Sequence, residues 1–89
     1  MDDARKLISK ALELGFTVCV FDEHRTVLNE SRDYGEVVRA VEGLDQCLLH
    51  FNVCKKGTAA IVRNADGSFS AQDYTLDDLW IAEAIGRVT

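Results

Sequence analysis

Five residues in this chain are of types that do chemistry: Cys19, Cys47 and Cys54, with His24 and His50. Cys47, His50 and Cys54 give the spacing C-x2-H-x3-C, which has the outline of part of a zinc site. The run that holds them, Gln46 to Cys54 (QCLLHFNVC), alternates as a strand, so Cys47 points away from His50 and Cys54. His50 and Cys54 share a face but stand roughly 13 Å apart along extended backbone. No second Cys-x2-Cys pair completes a ligand set, so neither a metal nor a cofactor is expected. A nucleophile built from Cys19 or Cys54 with His50 needs an electropositive, partly exposed thiol. Cys19 instead lies in the most apolar stretch of the chain, Phe16 to Phe21. His24, in an acidic turn beside Asp22 and Glu23, reads as solvated. Three cysteines at irregular spacing among apolar residues read as reduced, buried thiols rather than a disulfide framework. The paired carboxylates Asp2-Asp3, Asp22-Glu23 and Asp77-Asp78 fall where helix caps and turns use them. The six glycines are dispersed at the ends of elements and form no phosphate-cradling loop. Enzymatic chemistry is not expected.

The elements around these residues have clear starts and stops. Ala4, Leu7, Ile8, Ala11 and Leu12 follow helical spacing and Gly15 sits at the C′ position, predicting a helix over 3–14. Residues 16–21 are apolar on both faces, which suits a strand inside a sheet. A polar turn leads to a short strand over 26–30. Ser31, or the Asp33–Glu36 pair one step later, caps a helix over 32–42 that Gly43 ends. Strands then follow at 46–54, 58–63 and 68–74, the last two joined by Asn64-Ala65-Asp66-Gly67, in which Asp-Gly has strong turn chemistry. Thr75 caps a final helix over 76–86. The order α-β-β-α-β-β-β-α predicts an α+β fold, an antiparallel sheet of about five strands covered by helices. The expected core is Leu7, Ile8, Leu12, Val18, Val20, Val37, Val41, Leu49, Phe51, Ile61, Leu79 and Trp80. With 89 residues and no linker, the chain reads as one domain, 1–89.

Charge narrows the partners. Fifteen acids against ten bases give a formal charge of −5, which argues against direct binding of nucleic acid through its phosphates. No apolar run is long enough for a bilayer and no signal peptide is expected, so a cytoplasmic protein away from membranes is the reading. Residues 64–86 hold Asp66, Asp73, Asp77, Asp78 and Glu83 and no Lys or Arg. This strip is the candidate partner-binding site: Asp73, Asp77, Asp78 and Glu83, with Tyr74 as an anchor, facing a basic protein surface. Tyr34 and Trp80 are the other aromatics for which core and interface both stay open.

The segments "LELGFTVCVFDEH", "NESRDYGEVVRAVEGLDQCLL" and "NADGSFSAQDYTLDD" resemble a loose group of short, uncharacterised proteins encoded by tailed phages and prophages of proteobacteria. The shared features are mostly caps, turns and strand patterns. The sequence departs from the group in carrying Glu-His-Arg where an acidic-aromatic turn is common. The resemblance implies a non-catalytic viral accessory protein that acts in the cytoplasm of the host bacterium by binding a host protein. Inhibition of a host defence complex, in the manner of anti-CRISPR proteins, is one form such a role takes. The alternative is a homo-oligomeric structural or regulatory domain, such as a homodimer, without catalytic activity.

Overall fold

The structure, a computed structural model, describes residues 3–23, 25–52, 57–74 and 79–86, with the backbone alone at Asp73, Tyr74, Leu79 and Ala82. Three helices and five strands follow in the expected order. They are α1 (Asp3–Glu13), β1 (Thr17–Phe21), β2 (Thr26–Ser31), α2 (Tyr34–Glu42), β3 (Gln46–Asn52), β4 (Gly57–Arg63), β5 (Phe69–Tyr74) and α3 (Leu79–Ala84). The strands form one antiparallel sheet in the order β2-β1-β3-β4-β5. β1, apolar on both faces, lies between β2 and β3 as its composition requires. β2 and β3 both run antiparallel to β1 and therefore parallel to each other. α2 carries the chain from one to the other and packs on β1 and β2.

Local chemistry explains the boundaries. α1 stops because Gly15 takes φ +88°, a conformation that side-chain-bearing residues rarely adopt. α2 begins two residues later than the sequence suggests because the two capping options are used together. The Asp33 carboxylate accepts the Glu36 N–H at 3.1 Å as the N-cap. Ser31 donates its hydroxyl to Glu36 Oε1 (2.7 Å) and accepts the Asp33 N–H (3.1 Å). In the β4–β5 turn, Asp66 accepts both the backbone N–H (3.0 Å) and the hydroxyl (2.6 Å) of Ser68, ahead of Gly67 at φ +88°.

The helices share one face of the sheet. Val18 and Val20 of β1, Leu49 and Phe51 of β3, and Ala59 and Ile61 of β4 are fully buried beneath Leu7, Ile8, Val37, Val41 and Ile81. Phe51 meets the Trp80 ring edge-on (4.9 Å, 85°), and Phe16 also contacts that ring (5.3 Å, 66°). Leu12 and Trp80 are half-buried against this core rather than within it. The side chain of Leu79, and residues 53–54 and 76–78 of the expected strand and helix, lie outside the described residues. Among the described residues, no helix is long and apolar enough to cross a membrane.

Candidate functional site: the open face of the sheet

Strand alternation that sends Cys47, Leu49 and Phe51 under the helices must send Leu48, His50 and Asn52 the other way. The register extends that division across the sheet. Phe21, Leu48 and Ala60 stand side by side on β1, β3 and β4, and Asp73 of β5 continues the row. Cys19, His50 and Thr58 form a second row; Gln46, Val62 and Ser70 form a third. No helix among the described residues packs on this side.

The centre of the open face is apolar. Phe21, Leu48, Ala60 and Val62, with Cys47 and Ile61 between them along the strands, line a shallow groove of about 220 Å³, which Asp22, Glu23 and Gln46 also border. Leu48 is 41% exposed, one of three large apolar side chains left in solvent among the described residues. The acidic border is held in shape. Asp22 Oδ1 accepts the Glu23 N–H, the Asp22 N–H donates to Arg25 O at 2.9 Å, and Gln46 Nε2 donates to Glu23 Oε1 at 3.1 Å. At the far end, Asn52 Nδ2 donates to Glu30 Oε1 (3.0 Å).

Among the described residues, the strands carry one Lys or Arg side chain, and it does not lie on this face. Arg63, the one base in the five strands, lies on the helix side. Its guanidinium donates to Glu42 O (2.5 Å) and Leu44 O (3.1 Å), reaches Asp45 (3.3 Å) and covers the Phe69 ring (4.7 Å). Arg25 is exposed on the turn that follows Glu23. Arg5 of α1 pairs with Glu42 of α2, and Lys10 pairs with Glu13 within α1.

Of the reactive residues, Cys19, Cys47 and His50 are engaged in structure, and His24 and Cys54 lie outside the described residues. Cys47 is buried beneath the helices, and burial pushes its thiol up to about 11 from 9.0, which keeps it protonated and unreactive at neutral pH. Cys19 accepts the Glu30 N–H on Sγ at 3.2 Å and donates to Asn29 Oδ1 at 3.6 Å. Its register partner is His50, whose ring stands edge-on to Phe21 at 6.0 Å. Glu30 takes φ +45° at a register shift between β1 and β2, and that bend presents its N–H to the sulfur. Among the described residues no three His, Cys, Asp or Glu side chains are grouped to hold a metal.

Of the acidic strip read from the sequence, the described parts stand in β5 and α3. Glu83 is exposed on α3, in the helix layer. Asp73 pairs with Ala60 in the open-face row, and Tyr74 pairs with Ala59, a core position. Asp77 and Asp78 lie outside the described residues. Tyr34 is exposed at the start of α2, and Trp80 belongs to the core margin. The groove was not found from the sequence. Its signal is the second set of each alternating strand, Phe21, Leu48, Ala60 and Val62, which is too apolar for a solvated face. No protein-family model matches the chain, and no curated protein or solved structure does either.

Proposed function

We propose that the chain is a non-catalytic binding module that docks a basic surface of another protein, through the open face of its sheet. The observation that carries this reading is the make-up of that face: apolar in the middle, acidic at both ends, with the strands' one arginine turned to the opposite side. An apolar centre supplies burial and an acidic margin supplies attraction and orientation. In the phage setting that the resemblance implies, the partner is a host protein, with a defence complex as one such partner.

The sheet edges favour a different protein over a second copy of this one. Edge strands invite pairing unless they are blunted. On β5, Asp3 Oδ2 takes the Ala71 N–H at 3.1 Å, so the first residue of α1 occupies part of that edge. β2 is broken by two register shifts. Two acidic faces would also repel each other.

The test is capture from host lysate followed by reconstitution with the purified partner. Binding that falls steeply with salt, and falls again when Asp22 and Glu23 are both changed to Lys, supports the reading. Self-association as the sole interaction, or partner binding indifferent to salt and to both changes, overturns it.

A further inference from the structure

The groove on the open face has two chemical parts. Phe21, Leu48, Ala60 and Val62 form an apolar trough, and Asp22, Glu23 and Gln46 border it. Its complement is a side chain with an apolar stem and a cationic head. We infer that the groove seats an arginine from the partner protein, an inference that rests on the reading above and names what that partner presents. The aliphatic stem lies along Leu48 and Val62, as arginine stems commonly cover apolar surface while the head reaches polar groups. The guanidinium then reaches the Asp22–Glu23 end, beside the ring of Phe21.

Three features select arginine over lysine. A planar guanidinium can stack on Phe21, which an ammonium group does less well. Its fork of donors matches carboxylates held in place, and here Asp22 and Glu23 are fixed by the Glu23 N–H and by Gln46 Nε2 before any ligand arrives. Gln46 also has a carbonyl oxygen, able to accept from a third donor. The carboxylates are not alone in this cleft, because a half-buried aromatic ring and an exposed leucine adjoin them.

The experiment uses the whole chain, labelled with 15N, and three capped tripeptides: Gly-Arg-Gly, Gly-citrulline-Gly and Gly-Leu-Gly. Citrulline keeps the shape of arginine without its charge. The arginine peptide should bind in the millimolar range and shift the amides of Phe21, Glu23, Leu48 and Val62. The citrulline peptide should bind about tenfold more weakly, the loss expected for one charge-assisted pair. Glu23→Gln should weaken the arginine peptide by a similar factor, while Leu48→Lys should abolish its shifts. Both sites are exposed, so the fold is retained and the amide spectrum itself reports on it.

Equal binding of the arginine and citrulline peptides overturns the inference. So do shifts spread over Glu13, Glu36 and Glu83 on the helix side, or no shifts at all. The two readings fail separately. A purified partner that binds through Asp22 and Glu23 but tolerates Leu48→Lys overturns the arginine groove and leaves the basic-partner reading standing. A partner indifferent to all these changes overturns both.

Discussion

β3 carries two faces of unlike purpose on one seven-residue strand. Cys47, Leu49 and Phe51 are buried under the helices, whereas Leu48 is exposed and His50 and Asn52 are half-buried on the other side. The same division holds in β4, where Ala59 and Ile61 are buried while Ala60 and Val62 are only half-covered. Side chains of similar hydrophobicity therefore do different work according to parity alone. The covered set supplies most of the burial that stabilises the domain, and the open set is left partly in solvent.

The widest gap between the faces should appear on truncation. Phe51→Ala removes a fully buried ring that packs on Trp80, at an expected cost of about 3–5 kcal/mol. Leu48→Ala, one residue away on the exposed side, should change stability by no more than about 0.5 kcal/mol. Urea unfolding of both variants checks this, and comparable losses would erase the distinction between the faces.

Much of this arrangement could be read before the structure. The helical spacing of α1, the glycine stop at Gly15 and the Asp-Gly turn are local signals, and each formed where expected. The two-faced apolar pattern of β1 placed it inside the sheet for the same reason: an edge strand would leave one of its apolar faces poorly covered. The groove was hidden because it depends on register. Phe21, Leu48 and Ala60 are far apart in the chain, and only strand pairing sets them side by side. The acidic strip was read from proximity in sequence alone; its Asp73 stands in β5 and its Glu83 in α3, and Asp77 and Asp78 lie outside the described residues.

Cys47 gives a pH-dependent measure of the covered face. Its thiol titrates near 9.0 in an unfolded chain and about 11 when buried. Between those values the unfolded state has lost a proton that the folded state still holds, so stability falls as pH rises. The contribution is intact below pH 9 and is lost through pH 11, up to about 2–3 kcal/mol in all. Unfolding wild type and Cys47→Ala side by side from pH 8 upward should show the wild-type curve dropping more steeply. Parallel curves would mean that Cys47 is not desolvated and that the covered face is looser than described.

A smaller effect tests the helix that makes the faces unlike. α2 covers β1 and is capped by Asp33, which accepts the Glu36 N–H. Asp33→Ala should cost about 1 kcal/mol, and amide exchange should quicken first in α2. Peptide or partner binding at the open face should be unaffected under folded conditions. Altered binding in a folded Asp33→Ala variant would show that the two faces are coupled.

The smallest effect concerns the β4–β5 turn, which delivers residues to both faces at once. The Ser68 hydroxyl and then the Ser68 backbone N–H hold the Asp66 carboxyl below the ordinary carboxylate range. A carboxyl whose acidity is raised by folding stabilises the native state above its unfolded titration range, and that contribution disappears as pH falls through its folded value. Wild type should therefore exceed Asp66→Ala in stability at neutral pH, and the two should converge in acid. The side chain is fully exposed, so the gap should be small and should come from the lost Ser68 bonds rather than from burial. Asp66→Asn separates charge from hydrogen bonding, because its amide oxygen can still accept from Ser68 but does not titrate. A gap between wild type and Asp66→Asn that is the same at every pH would remove the carboxylate's charge from the account of this turn. A gap that closes in acid would show that the charge, held by Ser68, helps to fix the register of β4 against β5.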